Sequence, residues 1–164
     1  MTRRRNKTPM AMCFSVALAV ALAMAGCNRK TIFSHYVAID QSGWERTDTM
    51  HFAVAHIPLT DRYVETIGLR ITSHYPFTAL TVIADQHAVP SGIQRTDTLC
   101  CRLTDESGTV MGSGLTHYQY LFPLPPLPLS EGDSLSVSIR HHMMRETLPG
   151  VTDVGLIVCK EAAK

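Results

Sequence analysis

No apolar run in this 164-residue chain reaches the roughly 20 residues that a spanning helix requires. Charge of one sign is equally scarce. Fifteen Lys and Arg against 14 Asp and Glu leave a net charge of +1, so no electrostatic footprint for nucleic acid or an anionic surface exists. There is one tryptophan, and aromatics make up 7% of the chain. The motifs of familiar chemistry are missing as well. No CxxC pair, HExxH helix, GxSxG elbow or phosphate-cradling glycine loop occurs, so nothing in the sequence identifies an enzyme. No stretch beyond the N-terminus keeps helical periodicity for three turns, which argues against a helical or α/β domain.

The N-terminus carries the most informative feature. Arg3, Arg4, Arg5 and Lys7 form a basic stub, Ala11 to Ala23 an apolar core, and Leu22-Ala23-Met24-Ala25-Gly26-Cys27 a small-residue cleavage site ending in cysteine. This is the pattern of a bacterial lipoprotein signal, with residues 1–26 removed and a diacylglyceryl thioether formed on Cys27. Each buried CH₂ of an acyl chain adds about 0.8 kcal/mol of membrane affinity, so several chains anchor a protein firmly. The covalent lipid on Cys27 is the one prosthetic group expected, with no other cofactor and no metal. Removing residues 1–26 leaves 138, one ordinary domain. The expected organisation is a lipidated tether at 27–34, a folded domain at 35–160 and a tail at 161–164.

Past the tether the pattern is strand after strand. Ile67, Leu69 and Ile71 alternate with polar or small residues, as do Leu80, Val82 and Ala84, then Leu99, Cys101 and Leu103. Leu135, Val137 and Ile139 alternate with serines, and Val154, Leu156 and Val158 close the chain. A period of two marks half-buried strands. Turn formers separate them: Asp40-Gln41-Ser42-Gly43, Pro90-Ser91-Gly92, Asp105-Glu106-Ser107-Gly108, Glu131-Gly132-Asp133 and Leu148-Pro149-Gly150. These features predict an all-β fold, an antiparallel two-sheet β-sandwich of jelly-roll type. The proline-rich run Phe122 to Leu129 reads as a stiff connector crossing between the sheets with its leucines packed inward, in preference to a polyproline recognition strip.

Three cysteines, Cys100, Cys101 and Cys159, remain after Cys13 leaves with the signal and Cys27 takes lipid. Neighbours on a strand face opposite ways, so one of Cys100 and Cys101 faces the core. A disulfide from either to Cys159 and a set of free thiols are both open. Eight histidines are scattered at spacings that do not share a strand face, which gives no metal site. Gly112-Ser113-Gly114 reads as a flexible turn or bulge. Trp44, with Tyr118 and Tyr120 sharing a face two residues apart, forms a candidate aromatic patch for stacking on sugar rings.

The run His142-Met143-Met144-Arg145-Glu146-Thr147-Leu148-Pro149-Gly150-Val151-Thr152-Asp153-Val154-Gly155-Leu156 resembles the gliding-motility lipoprotein GldH family of Bacteroidota. Cys27, the Trp44 segment, Leu69-Arg70-Ile71, Tyr75-Pro76-Phe77, Leu80-Thr81-Val82 and the Asp105–Gly108 turn fall in the matching order. The resemblance implies a non-catalytic, membrane-anchored accessory or assembly component of the gliding machinery, linked to type IX secretion. Other gliding and secretion envelope proteins would be its partners, and nucleic acid would not. In that bacterial group, surface-displayed lipoproteins often carry acidic residues after the lipidated cysteine. Asn28-Arg29-Lys30-Thr31 has none, which points to a periplasm-facing orientation. The alternative function is a carbohydrate-binding envelope lipoprotein using Trp44, Tyr118 and Tyr120. Within the motif, Pro149 and Gly150 define a turn, and Arg145 and Asp153 flank it at positions suited to an ion pair across it.

Overall fold

A computed structural model describes residues 31–162. The expected signal peptide, the lipid site Cys27, the tether through residue 30 and the last two residues, 163–164, lie outside the described residues. Among the described residues the elements are strands throughout. β1 (Thr31–Ala38) opens inside the stretch that the sequence reading gives to the tether. It is followed by β2 (Trp44–Glu45), β3 (Met50–Val54), β4 (Asp61–Thr72) and β5 (Ala79–Val89). Next come β6 (Ile93–Arg102), β7 (His117–Pro123) and β8 (Leu127–Leu129), then β9 (Ser134–His141), β10 (Thr147–Leu148) and β11 (Val151–Lys160).

One sheet has the order β1-β11-β4-β7, with β8 also on β4, and the other has the order β3-β9-β5-β6. Every pairing is antiparallel. With β7 and β8 counted as one interrupted strand and the short β2–β10 pair set aside, the first sheet holds the first, eighth, third and sixth strands. The second sheet holds the second, seventh, fourth and fifth. That interleaving is the jelly-roll arrangement of a two-sheet sandwich.

The alternation read from the sequence decides which faces meet. On β4, Tyr63, Ile67, Leu69 and Ile71 are buried, and on β9 Leu135, Val137 and Ile139 are buried while Ser134 and Ser136 face solvent. Val154, Leu156 and Val158 of β11 and Leu80, Val82 and Ala84 of β5 complete the layer between the sheets. Register is strongly held in such a sandwich, because a one-residue slip would turn every one of these side chains to water.

The proline run does not cross between sheets, contrary to expectation. Pro123 pairs with Thr66, Leu124 N donates to the Glu65 carbonyl at 2.7 Å, and Leu127 and Leu129 pair with Tyr63 and Asp61. The run therefore stays on β4, bulged by one residue, since it advances from 123 to 127 while β4 moves only from 66 to 63. Leu124, Leu127 and Leu129 do pack inward. The prolines remove N–H donors from this sheet edge, which denies a ladder to any further strand.

The register also sorts the loops into two ends. Thr31 pairs with Cys159, Tyr63 with Lys160, and Asp61 with Leu129, so the chain enters at the end where these residues gather. Ala38 pairs with Asp153 and Thr72 with His117 at the opposite end. These are called the near and far ends below.

Candidate functional site

The distinctive C-terminal motif folds into a knot of loops at the far end. Leu148 pairs with Trp44 and Thr147 with Glu45. The Trp44 ring is fully buried, its Nε1 donates to the Asp48 carbonyl at 3.0 Å, and it meets the His141 ring edge-on with centroids 5.3 Å apart. Burial holds the His141 imidazole below its ordinary pKa, which keeps it neutral beside the indole. Gly43 has φ +114°, and a Cβ there would lie 2.7 Å from the Leu148 carbonyl, so only glycine lets the two short strands approach. The Gly150 carbonyl accepts from Thr72 N at 2.8 Å, which fastens the same motif to β4.

This placement overturns the aromatic patch. Trp44 is core, as its burial and hydrogen bond show, and cannot stack on a sugar. Tyr118 and Tyr120 do share a face, but it is the inward one. Tyr120 is buried with its hydroxyl donating to the Leu103 carbonyl at 3.2 Å, and Tyr118 is half-buried. Gly112-Ser113-Gly114 lies over them. A Cβ at Gly112 would sit 2.6 Å from the Tyr120 ring, and Ser113 exchanges two backbone hydrogen bonds with Gln119. The segment is thus a fitted cover along the β7 edge.

The ion pair expected across the Pro149–Gly150 turn does not form. Arg145 is exposed, and Asp153 instead meets Arg70 of β4, with Nη1 and Oδ1 3.5 Å apart. Arg145 lies in the loop before β10, whereas Asp153 is inside β11 and pairs directly with Arg70, so strand register rather than turn proximity chooses the partner. The Arg70 guanidinium also lies 4.3 Å from the Tyr36 ring centroid, a cation–π contact on the outer sheet face.

Among polar loop residues such as Glu45, Asp105, Glu106 and Arg145, the far end also exposes large apolar side chains. Leu115 is 93% exposed and Met144 97%, with Met111, Val110 and Phe77 exposed in neighbouring loops. Backbone bonds tie these loops together: Leu103 N donates to the Thr78 carbonyl, and Met111 N to the Leu103 carbonyl. Two open grooves adjoin them, one of about 530 Å³ lined by Arg102, Met111, Tyr120, Leu121 and Phe122 among others, and one of about 380 Å³ lined by Arg46, His142, Met143, Met144 and Glu146. Flexible methionines beside aliphatic side chains suit a surface that adapts to another protein. Nothing in the sequence alternation marked these residues, because they lie in loops.

A second feature was missed in the sequence. Glu65 of β4 points into the core between Tyr63 and Ile67, fully buried, and neither carboxylate oxygen meets a protein donor. Burial raises its pKa to about 7, against a lowering by Arg95 and with a further rise from Asp97. Gln86 donates to Asp97 Oδ2 at 2.7 Å, and Arg95 donates to the Pro125 carbonyl at 2.7 Å, lacing β6 to the proline run. Arg95 Nε also lies 2.7 Å from Asp97 Oδ2 but off its N–H axis, which makes the contact an ion pair rather than a good hydrogen bond. The visible clue was a lone Glu at an inward position of an apolar alternation.

Among the described residues no three His, Cys, Asp or Glu side chains converge. Cys100, Cys101 and Cys159 are free thiols. Cys100 is exposed and Cys101 buried, with burial pushing the Cys101 thiol up to about 12. Cys159 sits on the other sheet, 3.3 Å from the Thr31 hydroxyl.

The sequence profile described as GldH lipoprotein matches residues 31–158, nearly the whole sandwich. The chain belongs to the GldH lipoprotein family. Within that family it is similar to the gliding motility lipoprotein GldH of Flavobacterium johnsoniae, at 26% identity over 147 residues that cover 85% of this chain and 91% of that protein. Solved structures are more distant. A GH115 4-O-methyl-alpha-glucuronidase, BtGH115A, aligns with TM-score 0.47 and 13% identity over 83% of this chain and 18% of its own. Eiger TNF from S. frugiperda aligns with TM-score 0.32 and 12% identity over 80% and 87%. Both scores fall below 0.5 and carry no argument here. The GldH-family match spans the sandwich that carries the Trp44 knot.

Proposed function

We propose that this GldH-family chain is a non-catalytic lipoprotein, held in the cell envelope by lipid on Cys27, that serves as an accessory or assembly component of gliding machinery linked to type IX secretion. The observation that carries this reading is the family match across the sandwich, together with the relative named for gliding motility. The periplasm-facing orientation is part of the proposal and draws on the neutral-to-basic tether. Binding is assigned to the far end, where Met144 is exposed on the loop beside the buried Trp44 knot and Met111 and Leu115 are exposed on the loop bonded to Leu103 and Gln119. The occupant proposed is a protein of the same machinery with an apolar contact patch. The end where the chain enters is the one nearest the anchor, which leaves the opposite end free to meet a neighbour.

The test is capture of tagged full-length protein from crosslinked cells of the native host, beside a Cys27→Ala control. Recovery of gliding or secretion proteins, lost in the control, is the expected result. Recovery of outer-membrane glycan-uptake proteins in their place would overturn it.

A further inference from the structure

Among the described residues eight large apolar side chains are exposed, and they are not spread evenly. Five belong to far-end loops and Leu121 to an outer sheet face. Leu59, 51% exposed, and Val89, 48% exposed, stand at the near end. Leu59 lies in the loop before β4 and Val89 ends β5, and the Gly132-Asp133 turn joins the two segments, by its backbone to the first and by the Asp133 carboxylate to the second. Asp133, itself buried, accepts from Ser130 N at 2.9 Å through Oδ2 and from Ser91 N at 3.1 Å through Oδ1. Its carbonyl accepts from Ile57 N at 2.8 Å, and Gly132 N returns a bond to the Ile57 carbonyl at 2.9 Å. The Leu59 carbonyl is in turn held by the Tyr63 hydroxyl at 2.8 Å. Leu59 and Val89, each beside an exposed proline (Pro58 and Pro90), are therefore presented from a braced surface.

The chain enters at this end. Thr31 pairs with Cys159, beside the β11 terminus and the start of β4. Cys27 lies four residues earlier, a reach of at most roughly 14 Å for fully extended chain. β4 alone runs 12 residues towards the far end, on the order of 40 Å at strand rise. The anchor therefore holds the near end against the bilayer, whereas the far end stands about a strand length from the anchor and meets the membrane only if the sandwich lies on its side. The cations here, Arg62 and Lys160, are matched by Glu161 and Asp61, and the exposed Glu131 adds a negative charge, so charge does not draw this end to an anionic surface and its apolar side chains must do so.

We propose that the near end is a membrane-seating face, with Leu59 and Val89 dipping into the interface of the bilayer that anchors the chain. It rests on the reading of Cys27 as the lipid-bearing residue. A side chain at the acyl boundary gains by leaving water, and the lipid anchor supplies the proximity that two aliphatic residues alone would not. Seating at two points, in addition to the tether, fixes the tilt of the sandwich and holds the Leu115–Met144 end away from the membrane.

The experiment introduces tryptophan singly at Leu59, Val89 or Leu115 in the full-length chain, purified after processing and reconstituted in phosphatidylethanolamine–phosphatidylglycerol vesicles with brominated acyl chains. The unsubstituted chain, whose Trp44 is buried at the far end, supplies the baseline. The expected result is loss of the added emission for Leu59→Trp and Val89→Trp and full emission for Leu115→Trp. The mass of the N-terminal peptide is measured on the same samples. Lipid on Cys27 without quenching at 59 and 89, or with equal quenching at 115, overturns the seating alone. An unmodified Cys27 overturns the anchor reading and the seating with it.

Discussion

The ring of Tyr36 on β1 occupies the place where Gly155 of β11 would otherwise carry a side chain. A Cβ on Gly155 would lie 2.5 Å from Cδ1 of that ring, and one on Gly68, the cross-strand partner of Gly155, would run into its hydroxyl end. The two glycines form a slot across β11 and β4, and the tyrosine fills it with the Arg70 guanidinium beside the ring. Glycine weakens a strand interior, and an aromatic ring laid across it restores the lost packing. This gives the Asp153-Val154-Gly155 part of the C-terminal run a structural meaning.

Gly155→Ala and Gly68→Ala are each expected to lower stability by about 1–3 kcal/mol, the usual cost of forcing an atom into filled space. Tyr36→Ala empties the slot, so the Gly155→Ala, Tyr36→Ala double variant should lose less than the sum of the singles. Urea unfolding of the four proteins checks this.

Glu65 predicts a pH dependence whose sign is unusual for a carboxylate. Its folded-state pKa, about 7, lies above its ordinary value of 4.5 because burial disfavours the charged form. The folded state therefore holds the proton more tightly than the unfolded state. The stability this supplies is full below about pH 4.5 and is lost as pH rises through 7. Against wild type, Glu65→Gln should gain stability between pH 5 and 8, up to about 3 kcal/mol at the upper end. Chemical denaturation across that pH range, taken as the difference between the two proteins, isolates the Glu65 contribution from the aspartates.

Arg145 and Arg70 separate by their consequences. Arg145→Ala should leave stability within about 0.5 kcal/mol of wild type, as for a surface residue without partners. Arg70→Ala removes the contacts to Asp153 and Tyr36, and a loss of about 1 kcal/mol is expected for a part-exposed pair with a cation–π component. Melting curves of the two variants distinguish strand pairing from turn pairing.

The thiols should differ in the same graded way. Cys100 is exposed on an edge strand, whereas burial raises the Cys101 pKa to about 12. Iodoacetamide should alkylate Cys100 in the native protein and reach Cys101 only on unfolding, as read by peptide mass.

Much of the architecture was legible because its causes are local. The period-two runs at 67–71, 80–84, 135–139 and 154–158 face inward as alternation requires. Each of the five turns marked by composition holds a glycine with positive φ: Gly43, Gly92, Gly108, Gly132 and Gly150. What failed to show was whatever depends on distant partners. Alternation puts Tyr118 and Tyr120 on one face without saying that the face is covered. Trp44 sits on a two-residue strand, too short to have a period, and its burial follows from Leu148 and His141 about a hundred positions away. Asp153 finds Arg70 only once β11 lies beside β4. The far-end loops have no period at all, so the exposed Leu115 and Met144 could not be told from packed residues.

The most direct test of the account is a Leu115→Arg, Met144→Arg double variant of the full-length chain, expressed in the native host with Cys27 intact. Both side chains are almost fully exposed, so the fold and the anchor should survive, as checked by melting and membrane fractionation. The account predicts that crosslinked capture of gliding or secretion proteins is lost. Undiminished capture of the same proteins by the double variant would contradict the assignment of the far end as the binding face.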